Sequence, residues 1–496
     1  MSGLLLALPV ALPLLAAGTI LALPGPRWLR RVVAVGAHVA VAAVGAVLLA
    51  RTLGGDVVSL SVGAWPGGVS IVLAADALSA LLVLVTGGLV AVCLPFAAAT
   101  GDDRHRMFLP LVLTLTTGVY GAYLTADLFN LFVFIEVMLA PSYALVILGG
   151  GRERVAAGRI YLTVSLLAST AFLVGVGLVY GLTGTVNLGA LAGAAAQSPA
   201  VAVAAGVVLV AMAVKAGVVP LHTWLPRVYP HTTPAVTALF SGLLTKVGVY
   251  VILRVYAVVY AGDATYRWLL VGLAAATMLV GAVGSLGERT FRAILVFGMV
   301  SHIGYMIVGP ALFTDLALAA AVFYFVHHVL VKAGLLMCAG AVELTYGTGE
   351  LHRLGGLVSR APLLALVFMV GGMSLSGLPP LSGFVAKLTV IRAAVVDQQW
   401  LLAVVAALAG LFTVAAMVKI WNNVFWGHDG VGGWDDLGAP VVAAARVRPA
   451  LLAPAVVLVA CSVVFGLGAY PLLTAAQAAA AGLVEPAAYI SAVMSP

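Results

Sequence analysis

Residues 201–253 read VAVAAGVVLVAMAVKAGVVPLHTWLPRVYPHTTPAVTALFSGLLTKVGVYVIL. Two apolar runs flank a turn rich in Pro and His. Each run carries one lysine, Lys215 in the first and Lys246 in the second. A charged lysine at the centre of a bilayer-spanning helix costs about 2.5–3.5 kcal/mol on insertion scales. It persists only if it is paired, neutral or facing a wet cavity. Pro220 is expected to break the first run by removing one backbone hydrogen bond and crowding the carbonyl of Ala216, next to Lys215. Irregular backbone at membrane depth is tolerated only inside protein or along a water-filled path. The stretch therefore points to an ion path.

The rest of the composition agrees. The chain has 496 residues, of which 63% are hydrophobic and 8% charged, against about 25% charged in soluble domains. A net charge of +7 on such a chain points to loops that fix membrane orientation and not to nucleic acid. Of 24 basic residues only five are lysines: Lys215, Lys246, Lys332, Lys387 and Lys419. All five lie in or at the edge of apolar segments, while every basic loop residue is Arg. Arg stays charged and Lys gives up its proton readily when buried, so the pattern favours proton chemistry. Cys93, Cys338 and Cys461 are isolated, which excludes a CxxC-type iron–sulfur or disulfide framework. No cofactor site is expected. GAVGSLG (281–287) reads as helix-packing glycine, not a dinucleotide fingerprint.

At about 20 apolar residues per crossing, fourteen candidate helices emerge: roughly 4–23, 32–52, 71–99, 107–125, 127–149, 157–181, 199–221, 234–259, 267–286, 291–311, 315–342, 361–391, 400–426 and 450–469. No strands are expected. The first run lacks a basic leader and fits a retained helix. Segment 471–491, with Glu485 and Pro486, reads as an interfacial or disordered tail. Arg residues crowd the odd-numbered connections, which by the positive-inside rule puts both ends of the chain outside.

A weak internal repeat relates GVVPLHTW (217–224) to GLPPLSGF (377–384). In both, Pro breaks an apolar segment near a lysine, Lys215 or Lys387, and the next helix supplies another, Lys246 or Lys419. An offset of five helices inverts the topology, a transporter signature.

Among 17 acidic residues only Glu136 is expected to lie deep, nine residues past Asp127, or about 13.5 Å along a helix. Pro141 is expected to disturb the helix beside it. An intramembrane ionisable group is a functional hypothesis by default, with a structural ion pair as its bland alternative. In FYFVHHVLVKAG, His328 and Lys332 share a helix face; with no acid nearby, His327, His328 and Lys332 suit a proton relay better than a metal. His302 sits among Gly and Ser that loosen its helix. His222 and His231 flank the turn, at a mouth of the path or as plain structural groups, and Lys419 is placed to snorkel.

Taken together, Glu136 in LFNLFVFIEVMLAPSYALV, Lys215 in MAVKAGVVPLHTWLP, Lys246 in HTTPAVTALFSGLLTKVGVY, Lys332 in HHVLVKAG and Lys387 in GLPPLSGFVAKL resemble the antiporter-like subunits shared by Mrp-type Na⁺/H⁺ antiporters and respiratory complex I. The resemblance covers nearly the whole chain, and the LFNLFVF…E…SYAL wording is most similar to the D branch of the Mrp group. One departure is Tyr324, which stands where complex I relatives often carry a second His.

The resemblance implies an all-α integral membrane protein of about 14 helices. It implies two inverted five-helix repeats, helices 4–8 over 107–259 and helices 9–13 over 267–426. These follow N-terminal helices over 1–99 and precede a C-terminal helix and tail over 450–496. It implies a proton relay in which Glu136 pairs with Lys215, and Lys246, His328 and Lys332 pass protons laterally to Lys387. The implied partners are other membrane subunits of a cation/proton antiporter in the bacterial plasma membrane, with Na⁺ handled by the whole complex. The alternative is a proton-pumping, non-redox subunit of a complex I-like oxidoreductase or a membrane-bound hydrogenase.

Overall fold

The computed structural model describes residues 3–23, 25–65, 70–426 and 446–495. The chain opens with α1 (Leu4–Ala22) and α2 (Arg27–Thr52), then a hairpin of β1 (Val58–Ser61) and β2 (Val72–Ala75), then α3 (Ala77–Thr100), α4 (Phe108–Leu124), α5 (Leu128–Ile147) and α6 (Arg152–Thr183). The short α7 (Ala194–Gln197) leads into α8 (Pro199–Ala216), α9 (Trp224–Val228), α10 (Pro234–Val258), α11 (Arg267–Gly287), α12 (Phe291–Leu312) and α13 (Asp315–Tyr346). The remainder is α14 (Leu357–Arg360), α15 (Pro362–Ser376), α16 (Ser382–Val396), α17 (Trp400–Ile420), α18 (Pro449–Leu467), α19 (Tyr470–Val484) and α20 (Ala487–Met494). Among the described residues, twelve helices are long and apolar enough to cross a membrane, and three more, α4, α15 and α19, are apolar but shorter. The chain is a multi-pass membrane protein.

Polar residues start these helices. Asp76 caps α3 by accepting from the Ser79 amide at 2.9 Å, while the Ser79 hydroxyl accepts from the Asp76 amide. Asp127 caps α5, and Thr233 caps α10 just ahead of Pro234. Such side chains satisfy amides that the first turn leaves without partners. Near the start of α10, Asp102 accepts from the Thr100 hydroxyl at 3.0 Å; burial pushes its carboxyl above the ordinary value, with Thr233 and Thr100 opposing the rise.

Three helices form the centre. The most apolar stretch of α10 is completely buried, and those of α13 and α12 are 94% and 89% buried. Helix α13 packs against α10, α12, α16, α18 and α19. Helices α11 and α12 approach so closely that a Cβ on Gly281 would fall 2.0 Å from the Ser301 amide, which is the packing role expected of the 281–287 glycines.

Several expectations need correction. The hairpin pairs Val58 with Ala75 and Ser61 with Val72, antiparallel. Residues 71–76, which apolar length alone assigns to a long third helix, are instead strand and cap, and α3 begins only after Asp76. Segment 361–391 is broken, as its prolines lead one to expect, into α15 and α16. Segment 471–491 is not a disordered tail: α19 packs on α13 and α3 through Ala475, Ala476, Ala479 and Ala480, small side chains that let backbones approach. Glu485 and Pro486 fall between α19 and α20. Pro141 lies inside an α5 that continues to Ile147. Glu136 is only partly buried, whereas Asp76, Asp103 and Asp127 are more enclosed, at helix ends.

Candidate functional site

Both breaks are made by glycine. Helix α8 ends at Gly217 (φ 81°, ψ 38°) and α15 at Gly377 (φ 88°, ψ 37°), a left-handed conformation that only glycine adopts without strain. Each glycine amide returns to a carbonyl four residues back, Ala213 or Met373, and the next amide, of Val218 or Leu378, reaches the same carbonyl. Pro220 follows the break and does not itself crowd the Ala216 carbonyl, because the helix has already ended. The two GxxPL stretches thus have one backbone design.

The lysines use these breaks differently. The Lys387 ammonium donates to the carbonyl of Ser376 at 2.9 Å, one of the last carbonyls of α15 and therefore without a helical partner. The Lys215 ammonium turns to α6 instead, donating to the Ser165 carbonyl at 3.1 Å and the Ser169 hydroxyl at 3.3 Å. The indole N–H of Trp224 takes the Val214 carbonyl at 2.8 Å. Glu136 acts electrostatically on Lys215 and on Tyr143, but the expected contact pair is not formed. One Glu136 oxygen is buried without a hydrogen-bond partner among the described residues. The Lys215 ammonium thus spends its hydrogen bonds on α6 and not on Glu136.

Lys246, on α10, is fully buried and donates to the Thr245 hydroxyl at 3.2 Å. Across from it, on α13, His328 is fully buried with both ring nitrogens unpartnered among the described residues. Its ring centroid lies 4.9 Å from that of His302 on α12. Lys332 acts electrostatically on both histidines and shares a cavity of about 10 Å³ with Ser301, His302, Gly298, Ser285 and Thr413, room for about one water molecule. The Ser301 hydroxyl is buried there without a partner among the described residues.

From His302 the polar line continues through a residue whose place in the sequence stood out only as a departure from the complex I pattern. The His302 Nδ1 and the Tyr324 hydroxyl are 2.6 Å apart. The Tyr324 ring stacks on Tyr305 at 4.8 Å, and the Lys387 ammonium stands 5.6 Å from the centre of the Tyr305 ring. His327 points elsewhere: its Nδ1 lies 2.8 Å from the Ser382 hydroxyl, which with Ser374 and Ser462 forms a serine cluster. The structure therefore brings Lys246, His328, His302, Lys332, Tyr324 and Lys387 into one buried line. The spacing of Tyr324, one turn before His328 on the same helix, was the available signal.

The other candidates lie off this line. Lys419 donates to the carbonyls of Leu286 and Glu288, both at 2.7 Å, closing the end of α11; it does not snorkel. His231 is 3.6 Å from Glu153. His222 is buried against the Phe297 ring, its Nδ1 unpartnered among the described residues. No group of three or more metal-ligating side chains occurs among the described residues.

Residues 125–413, which hold every member of this line, match the sequence profile described as "NADH:quinone oxidoreductase/Mrp antiporter, TM". The chain belongs to this family. Within the family it is 36% identical to the D subunit of the Na⁺/H⁺ antiporter from Alkalihalophilus pseudofirmus, over 99% of both chains. Its fold is similar to a chain of the Mrp complex from a Dietzia species, with a TM-score of 0.94, 42% identity and 99% of both chains covered. It is also similar to a chain of respiratory complex I from Thermus thermophilus, with a TM-score of 0.78 and 25% identity, covering 98% of this chain and 100% of that one.

Proposed function

We propose that this chain is the D-type, proton-relaying membrane subunit of a multi-subunit Na⁺/H⁺ antiporter of the bacterial plasma membrane. It is a transporter subunit, not an enzyme, and works with other membrane subunits. The carrying observation is the buried line Lys246–His328–His302–Tyr324–Lys387 with Lys332 beside it. A cluster of bases without a carboxylate in contact is costly in a low-dielectric interior, and a relay is the use that justifies it. The full-length similarity to antiporter subunits of the D type supports the assignment.

In this reading Glu136 and Lys215 form a loading pair. Protonation of Glu136 weakens its hold on the Lys215 proton, which passes inward to Lys246. His328, with both ring nitrogens unpartnered among the described residues, and His302, bonded to Tyr324, carry it toward Tyr324 and Lys387. Like charges repel across the protein interior, so a proton arriving on one amine favours release from the next. Lys332, beside its water-sized cavity, is the side branch. The chain then comprises fourteen membrane segments. One inverted repeat is α4, α5, α6, α8 and α10; the other is α11, α12, α13, the broken α15–α16 and α17. Both ends of the chain face outside. The matching backbone at Gly217 and Gly377 supports the repeat. A pumping subunit of a redox complex is the second reading, favoured by the likeness to complex I, and neighbouring genes separate the two.

The test is Glu136→Gln in the complete complex, measured in everted vesicles by adding Na⁺ to a preformed ΔpH. Antiport should vanish while the complex assembles at normal abundance. A normal Na⁺ response would exclude the relay as drawn.

A further inference from the structure

A second buried charged group lies outside this line, at the end of α10 that the arginine distribution puts outside. Lys246, Tyr250 and Arg254 follow one another at four-residue spacing, so one face of α10 carries them, over about 12 Å. Arg254 is 2% exposed and Asp76 is 5% exposed. They form a two-pronged ion pair, with contacts of 2.8 Å and 2.7 Å. Tyr250 fills the turn between Lys246 and this pair. Its hydroxyl donates to the Tyr123 carbonyl at 2.7 Å, and the Arg254 guanidinium lies 5.6 Å from its ring centre. From α20, Tyr489 covers the other side of Arg254 at 4.5 Å.

Asp76 is also part of the wall of a recess of about 290 Å³ whose lining includes Asp56, Glu485, Thr52 and Tyr489. Asp56 and Glu485 are exposed while Asp76 is buried. One carboxylate thus touches both the solvent recess and the α10 face that carries Lys246. Capping alone does not explain it, because Ser, Thr or Asn cap a helix as well as Asp does. Stability does not explain the pair either, since a buried ion pair is often no better than an apolar replacement.

We propose that Asp76 is the group through which the first half of the relay exchanges protons with the outer aqueous phase. Arg254 is its fixed counter-charge, which cannot itself deprotonate. In the outward direction the Tyr250 hydroxyl turns off the Tyr123 carbonyl on which it rests; the Nζ–H bond of Lys246 breaks, the Tyr250 oxygen takes that proton, and the O–H bond it already carried breaks to give its proton to an Asp76 oxygen. Asp76 then loses the proton to water in the recess, and the carboxylate paired with Arg254 is restored. No electrons move, and water is the only other reactant. Exposed Asp56 and Glu485 give the recess a negative field that holds protons near its mouth. This inference rests on the relay reading above.

The decisive variant is the double substitution Asp76→Asn with Arg254→Gln in the complete complex. It removes both charges, keeps a capping side chain and leaves no orphaned charge. The expected result is normal abundance in the membrane and a loss of Na⁺-dependent ΔpH dissipation of at least about tenfold. Asp76→Glu with Arg254 intact keeps an ionisable carboxyl and should retain most of the rate. A wild-type rate in the double variant overturns the proposal. If that variant does not assemble, Tyr250→Phe decides, since it keeps the ring against Tyr123: the rate should again fall about tenfold, and an unchanged rate overturns the proposal. Glu136→Gln, run in parallel, separates the failures. If it stays active the relay itself is wrong; if it is dead while the double variant is active, only the outer exchange site is.

Discussion

The Tyr324 hydroxyl lies 2.6 Å from Nδ1 of His302, joining α13 to α12 between His328 and Lys387. A hydroxyl in that place passes a proton by accepting on oxygen while donating its own. Tyr324→Phe should lower antiport by about 10²-fold, the usual scale for losing a positioned proton-transfer group, with little change in assembly because the ring still stacks on Tyr305. Tyr324→His should keep a substantial rate. Initial rates of ΔpH dissipation in everted vesicles measure both, and wild-type activity in the Phe variant would remove Tyr324 from the path.

Lys387 sits at the broken end of α15, its ammonium on the Ser376 carbonyl. Lys387→Ala should abolish antiport. Lys387→Arg restores the charge and a donor for that carbonyl, yet should stay inactive, because arginine keeps its proton. Full activity in the Arg variant means the site needs only a fixed positive charge.

Lys419 gives the opposite expectation. Lys419→Met leaves the Leu286 and Glu288 carbonyls without their donor. These carbonyls are partly accessible, so the cost should be about 1 kcal/mol. The purified complex should melt a few degrees earlier while the rate per assembled complex stays near wild type. A dead but stable variant would return Lys419 to the relay.

Expressed without its partners, this chain should not confer Na⁺ resistance on a sensitive host, whereas the complete gene cluster should. Sodium is a hard cation that needs several oxygen ligands. A lysine-lined axis repels it, and the carboxylate most apt for the path, Glu136, is engaged electrostatically with Lys215. A saturable Na⁺ response from this chain alone, absent in Glu136→Ala, would contradict this division of labour.

The buried lysines are legible in the sequence because burying an amine in an apolar run is expensive and therefore rare. The family was legible for the same reason. What surrounds those lysines was not. Ser165 and Ser169 reach Lys215 from 50 and 46 residues away, and serines are too common in apolar helices to stand out. Asp76 and Arg254 pair across 178 residues, and each alone looks like an ordinary helix-end residue. The hairpin is not legible because apolar counting does not separate a strand from the start of the next helix, and only the Asp76–Ser79 cap marks the boundary. At the two breaks proline is the more conspicuous residue, yet the chain turns at Gly217 and Gly377.

Helix α10 has no face on the bilayer along its most apolar stretch, and α13 almost none. Lys246 and His328 are thus surrounded by an insulating sleeve supplied by the neighbouring helices. On the proposed relay the sleeve matters as much as the carriers, because any wet gap between the axis and the lipid would let protons run down their gradient without moving sodium. Cavity-forming substitutions in the jacket, far from any ionisable group, should then show up as leak: vesicles that cannot hold a ΔpH before any Na⁺ is added.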